Sequence, residues 1–297
     1  MSQKIIFFGS GNYTIPIIEV LKEHGLTLIV TTEAETDDTR YTNEFYSYLK
    51  NQDIPFISTR LQTASDIQKI KAINPTLGVL ASYGAILPDK ILRLFPLGIL
   101  NIHPSLLPKY KGPTPIQTSI LNNDLATGVT IIRLDSKVDH GPIVEQGIVQ
   151  LTGNETTENL KKYLFAQGGQ LIEKILLDLE IGEPLISREQ DHSQEVFTQK
   201  ITKNDGKIDI NKAPDAATLD RMIRAYYPWP GVWMKYPMSN VKAQISNEKS
   251  TGGKLVGKII KLLPNHQIQV EGKKPMSFKD FVNGYAEGKE IMEKIML

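Results

Sequence analysis

Asn101, His103 and Asp139 are the residues of this chain whose types and spacing best fit a chemical task. They supply an amide donor, an imidazole and a carboxylate. That set suffices for acyl transfer, which needs a donor for a developing oxyanion, an acid/base, and a partner that fixes the imidazole. Asn101 and His103 stand two residues apart at the end of an extended run, so both side chains leave the same face. Pro104 and Pro108 then restrict the backbone. Asp139 lies in Lys137-Val138-Asp139-His140-Gly141-Pro142, where Asp-His-Gly also suits a plain turn, and Asp135, Glu145 and Asp124 compete for the carboxylate role. A lone histidine is more often a satisfied core residue, but two polar side chains aimed together from a strand end point to a site.

The elements that must position these groups alternate along the first half of the chain. Strand-like runs cover residues 4–8, 27–31, 55–57, 77–81, 99–102 and 129–134, with helical patterns at 15–23, 45–50, 65–73, 114–121 and 157–179. Such alternation predicts an α/β fold with a doubly wound, mostly parallel sheet, whose ligands bind beyond the carboxyl ends of the strands. Gly168-Gly169 weakens the centre of the last helix. Gly9-Ser10-Gly11 follows the first strand, but Thr14 stands where the dinucleotide fingerprint wants a third glycine. That argues against a nicotinamide site and leaves the glycines as a turn on a ligand-lining rim.

From Gly182 the pattern turns polar and irregular, as in a linker. A helix at 216–225 and the rigid turn Pro228-Trp229-Pro230-Gly231 follow. Short alternating runs at 232–236, 241–245, 254–263 and 267–270 and a final helix at 286–295 suggest a small, OB-like β-barrel. The expected division is a catalytic domain at 1–182, a linker at 183–201 and a C-terminal domain at 202–297.

Length and composition bound the rest. The 297 residues, 40% hydrophobic and 23% charged, fit a globular protein and exclude disorder. No run of about 18 apolar residues predicts a membrane span. The start runs straight into a strand, leaving no room for a signal peptide, so the expected location is cytoplasmic. Zero cysteines exclude a thiolate nucleophile, disulfides and Cys-based zinc sites, and five scattered histidines show no ligand pair, so no metal is expected. A monomer is expected. The net charge of +1 hides an asymmetry: residues 1–199 hold 17 Lys/Arg against 23 Asp/Glu, and the remainder 17 against 10. The basic C-terminal third predicts a polyanion partner, against the alternative of a solvated basic surface.

Asn101, His103, Ser105-Leu106-Leu107-Pro108 and Asp139 together resemble the formyltransferases that use 10-formyltetrahydrofolate. Ala81-Ser82-Tyr83-Gly84-Ala85-Ile86-Leu87-Pro88 is similar to the family's folate-pocket segment, and Lys111-Gly112-Pro113-Thr114-Pro115-Ile116-Gln117 to the stretch after its catalytic histidine. Residues 203–209, 223–231 and 274–281 resemble the C-terminal domain of the methionyl-tRNA formyltransferase branch.

The resemblance implies a Rossmann-like catalytic domain with Asn101, His103 and Asp139 as its catalytic residues. It implies a folate groove lined by Tyr83, Gly84, Ile86, Leu87, Pro88, Ser105, Leu106, Leu107 and Pro108. It also implies 10-formyltetrahydrofolate as donor and initiator methionyl-tRNA as acceptor. One segment departs from the pattern: where tRNA-acting members carry a basic loop after the second strand, residues 33–38 are acidic. Phosphates repel such a loop, so the basic C-terminal domain is expected to supply most of the attraction. An alternative acceptor is a small amine such as an amino-sugar nucleotide. Outside this chemistry, a nicotinamide oxidoreductase is opposed by the incomplete glycine pattern, and a silent RNA-binding protein by the intact Asn/His/Asp set.

Overall fold

Apolar runs of five or six residues, separated by helices, build the sheet that carries the site. A computed structural model describes residues 3–32, 39–61, 63–236 and 255–295, the side chains of 39–42 excepted. The acidic segment 33–38, the strand expected at 241–245 and Lys254 lie outside these residues. Two compact units are present: residues 1–115, 126–150 and 161–198 form the first, and residues 116–125, 151–160 and 199–297 the second.

In chain order the first part runs β1 (Ile5–Gly9), α1 (Ile15–Glu23), β2 (Leu26–Thr31), α2 (Thr39–Lys50), β3 (Phe56–Ser58), α3 (Ala64–Ile73), β4 (Leu77–Ala81), α4 (Asp89–Leu92), β5 (Ile99–His103), α5 (Pro115–Leu121), β6 (Ala126–Arg133), β7 (Ile143–Gln150) and α6 (Thr157–Glu180). The strands form one seven-stranded sheet in the order β3-β2-β1-β4-β5-β6-β7. The five strands from β3 to β5 are parallel, and β6 and β7 continue antiparallel. The mostly parallel sheet expected from the alternation is therefore present. The order reverses between β1 and β4, the switch point beyond which ligands of such sheets bind.

Burial follows from this topology. The strands β1 and β5 are buried at every residue, as expected of parallel strands covered on both faces. On one face Ile6, Phe8, Val30 and Ile99 pack with Ile70 of α3 and Ile91 of α4. On the other, α6 lies so close that a Cβ on Gly168 would stand 2.4 Å from the Ile102 side chain. Gly168 thus serves helix–sheet approach, and the helix continues unbroken through the glycine pair.

The segment expected as a linker is hydrogen-bonded within the first unit. Arg188 exchanges backbone hydrogen bonds with Ile143, and Lys111 and Thr114 receive residues 196–198.

The second unit holds α7 (Ala216–Tyr226), β8 (Val232–Lys235), β9 (Ile259–Leu263), β10 (Gln267–Val270), β11 (Met276–Ser277), α8 (Phe278–Gly284) and α9 (Gly288–Ile295). Asp215 caps α7 through the Thr218 N–H, and Ser277 caps α8 through the Asp280 N–H. Its four strands form an antiparallel sheet in the order β11-β10-β9-β8. Val232, Met234, Ile260, Leu262, Ile268 and Val270 are buried, and the alternate positions Lys235 and Lys261 are exposed.

Candidate active site

Asn101 and His103 end β5, on the face that Ile99 shares with the α3/α4 core. Both are nearly enclosed, at 7% and 4% exposure. Asp139 meets them from the turn between β6 and β7, where its φ of 47° is the left-handed conformation that Asp tolerates better than most residues. One carboxylate oxygen serves both partners. Asn101 Nδ2 donates to Oδ1 at 3.3 Å, and His103 Nδ1 lies 3.4 Å from the same atom. Its Oδ2 accepts the Gly112 N–H at 2.8 Å.

The other ring nitrogen of His103 faces the Tyr110 carbonyl at 2.9 Å. A carbonyl only accepts, so Nε2 carries a proton, and Nδ1 can donate to Asp139 only when the ring carries both. Burial pushes the Asp139 carboxyl up. The charge and hydrogen bond of His103, the Gly112 N–H and the Lys111 charge outweigh that and hold it below the ordinary carboxylate range.

The other candidate carboxylates near Asp139 have different partners: Asp135 Oδ2 lies 2.6 Å from His140 Nδ1, and Glu145 pairs with Lys174 at 2.7 Å. His140 turns away from Asp139 and stacks on His192 with ring centroids 4.0 Å apart. No group of His, Cys, Asp and Glu fit to hold a metal occurs among the described residues.

The loop after β5 is closed by its own side chains. Ser105 Oγ donates to the Lys109 carbonyl, while Thr130 on the facing strand donates to the Ser105 carbonyl and accepts the Leu107 N–H. Leu107 packs on Ile132 and Ile143. The residues after β4 leave the neighbouring strand at the same sheet edge. There the Tyr83 ring belongs to the core, edge-on to Phe8, with its hydroxyl donating to the Thr59 carbonyl. Leu87 is also core. Tyr83, Leu87, Ser105 and Leu107 therefore direct their side chains inward, and what they offer a ligand is backbone. Ile86, 79% exposed, the exposed Gly84, and the half-buried Pro88, Leu106 and Pro108 present outward surface.

Two residues have contacts here that the sequence does not show, although Lys111 opens the segment that resembles the family's. Lys111 is fully buried, with its Nζ 2.7 Å from Glu195 and 3.1 Å from His192 Nδ1. Gln190 donates to the carbonyls of Asp139 and Gly141. Both join residues far apart in the chain, and no local spacing marks such pairs.

An open α/β sheet that gathers an amide, an imidazole and a carboxylate at the carboxyl end of an inner strand has the layout of a group-transfer enzyme. Residues 3–176 match the Formyl transferase family and residues 200–286 the Formyl transferase, C-terminal domain family, so the chain belongs to the formyl transferases. It is 36% identical over 266 residues to a methionyl-tRNA formyltransferase of Chloroflexus aggregans, covering 86% of this chain and 85% of that one. It is 31% identical to one from Roseiflexus castenholzii, covering 96% of each. In fold it is similar to a 4-N formyltransferase from Francisella tularensis, with a TM-score of 0.63 and 20% identity over 80% of this chain and 94% of that one. It is also similar to the N-formyltransferase from Helicobacter canadensis solved with folinic acid and dTDP-3-aminofucose, with a TM-score of 0.59 and 22% identity over 75% and 80%. Enzymes of this family draw on a formyl-tetrahydrofolate donor. Among the described residues no helix is long and apolar enough to cross a membrane.

Proposed function

We propose that this chain transfers the formyl group of 10-formyltetrahydrofolate to the α-amine of methionine on initiator methionyl-tRNA, for translation initiation in the cytoplasm. The observation that carries the reading is the shared Asp139 carboxylate. It joins Asn101 and His103 at a strand end, in a chain 31% identical to a methionyl-tRNA formyltransferase across 96% of both lengths.

The roles follow from the contacts. The amine lone pair attacks the formyl carbon, a new C–N bond forms, the donor's C–N bond breaks, and the proton released by the amine ends on the leaving nitrogen. Asn101 Nδ2 exchanges its long bond to Asp139 for one to the formyl oxygen as negative charge builds there. His103, carrying both protons, adds positive charge at the same oxygen. Asp139 orients the ring and relays the amine's proton. The donor would lie against Gly84, Ile86, Pro88, Leu106 and Pro108, framed by the backbone of Tyr83, Leu87, Ser105 and Leu107. Apolar surface beside exposed backbone fits a flat pterin.

For the acceptor, the reading draws on the C-terminal domain, residues 202–297, which follows a connecting segment at 183–201. Trp233 pairs across the sheet with Lys261, and Lys207 Nζ lies 5.8 Å from the Trp233 ring centre. Lys235, Lys258, Lys273 and Lys274 are exposed. Basic side chains around an aromatic ring on a small antiparallel sheet suit a nucleic-acid backbone. The test offers labelled donor with charged initiator tRNA, charged elongator tRNA and amino-sugar nucleotides side by side. Label on initiator tRNA is expected; label on the amino sugar instead would move the acceptor, and label on none would overturn the reading.

A further inference from the structure

We infer that Gln190 is a positioning residue for Asp139, an inference that rests on the proposed role of that carboxylate. Gln190 sits in the polar stretch after α6, and its hydrogen bonds go to neither Asn101 nor His103. Its Nε2 donates to the Asp139 carbonyl at 2.9 Å and to the Gly141 carbonyl at 2.8 Å, so one amide spans the turn that aims the carboxylate. The orientation of the amide follows from its partners: two carbonyls accept only, so the nitrogen must face them. The side chain is 5% exposed, and its Oε1 is buried without a hydrogen-bond partner among the described residues. A buried acceptor left unmatched is uncommon, and here it accompanies a double contact made by the other end of the same amide.

The stretch that carries Gln190 is itself fixed on both sides. Arg188 exchanges two backbone hydrogen bonds with Ile143, at 2.7 and 2.8 Å. Further on, Lys111 N–H donates to the Val196 carbonyl and Thr198 N–H to the Lys111 carbonyl, and the buried Lys111 ammonium reaches Glu195. Gln190 is thus anchored to β7 and to the loop whose Gly112 N–H holds the other Asp139 oxygen. A Cβ on Gly141 would come within 1.9 Å of the Arg133 carbonyl, so the turn also packs closely against the end of β6.

The geometry sets the consequence of losing the clamp. Asp139 adopts a left-handed conformation, and its contacts to Asn101 and His103 are already long at 3.3 and 3.4 Å. A drift of a few tenths of an ångström takes both beyond hydrogen-bond reach.

The experiment compares Gln190→Met, which keeps the volume and removes both donors, with Gln190→Glu, which turns a carboxylate toward the two carbonyls. Expected for a folded Gln190→Met enzyme is a kcat lowered about 10- to 100-fold, with KM for the folate donor and for charged tRNA within about twofold of wild type. Gln190→Glu should lose more. If the methionine variant does not fold, Gln190→Asn, one methylene shorter, should show a smaller fall in kcat at unchanged KM. A folded variant with wild-type kcat, or a loss confined to KM, overturns the inference. Failure of the wild-type protein to formylate charged tRNA would instead refute the proposed function, so the two failures are distinguishable.

Discussion

The end of β5 and the outward face of the C-terminal sheet use polar side chains in opposite ways. At β5 each group has assigned partners: His103 sits between the Tyr110 carbonyl and Asp139, and Asp139 accepts from Asn101 and Gly112. Asn101 and His103 are almost fully enclosed. On the C-terminal sheet Lys235 and Lys261 stand exposed, as do Lys258, Lys273 and Lys274 in the segments that join its strands. Enclosed groups with fixed partners act as a unit, so removing one disables the rest. Exposed charges act through a summed field, so each contributes a little. The contrast separates where chemistry is expected to reside from where a polyanion is expected to be held.

The largest effects should come from β5. His103→Ala removes the acid/base and the group bridging Tyr110 and Asp139, and a kcat loss of about 10³-fold or more is expected, at the upper end of general acid–base contributions. Asn101→Ala removes one donor to the developing oxyanion, worth about 10²- to 10³-fold in kcat. Both variants should bind charged tRNA like wild type. Single-turnover formylation together with tRNA binding checks this, and a variant losing binding rather than turnover would break the comparison.

Besides its cost in turnover, Asp139→Asn has a smaller effect that is read in stability. Burial raises the Asp139 carboxyl, but His103, Gly112 and Lys111 bring it below its ordinary value on balance. A carboxyl lowered by folding stabilises the native state above its unfolded pKa of about 3.9, and that contribution disappears as pH falls through the lowered folded value. Wild type should therefore exceed Asp139→Asn in urea stability near pH 5, with the gap closing below about pH 4. A gap that stays constant to pH 2 would remove Asp139 from the stabilised network.

How much of this was legible in the sequence depends on whether the signal was local. The parallel strands β1, β2, β4 and β5 and the antiparallel β6 read clearly, because strands covered on both faces are short continuous apolar runs. The strand β7 did not, because it lies at the edge of the sheet, mixes Glu145, Gln146 and Gly147 with apolar residues, and leaves Ile148 69% exposed. The short helix α8 was also missed, although Ser277 followed three residues later by Asp280 is a capping signal. Asn101 and His103 were readable from period-two geometry at a strand end. Choosing Asp139 over Asp135 and Glu145 needed the resemblance, since sequence does not show that those two pair with His140 and Lys174. The role of Gln190 and the buried pairing of Lys111 were illegible because their partners lie 49 to 84 residues away.

The smallest effects should come from the C-terminal face. Lys261 stands opposite Trp233 on the neighbouring strand, and Lys235 is two residues further along β8 with its side chain on the same face. Each lysine that neutralises a phosphate releases about one counterion, so Lys261→Gln and Lys235→Gln should each lower the slope of log Kd against log salt by about one. The affinity lost at low salt should be modest, and kcat at saturating charged tRNA should stay at the wild-type value, because neither lysine has a part in the chemistry in this reading. The double variant should add the two slope changes, as independent exposed charges do. A salt titration of tRNA binding decides it. An unchanged slope would mean that this face does not meet the acceptor, while a fall in kcat would mean that chemistry and recognition are not divided between the two regions as their burial suggests.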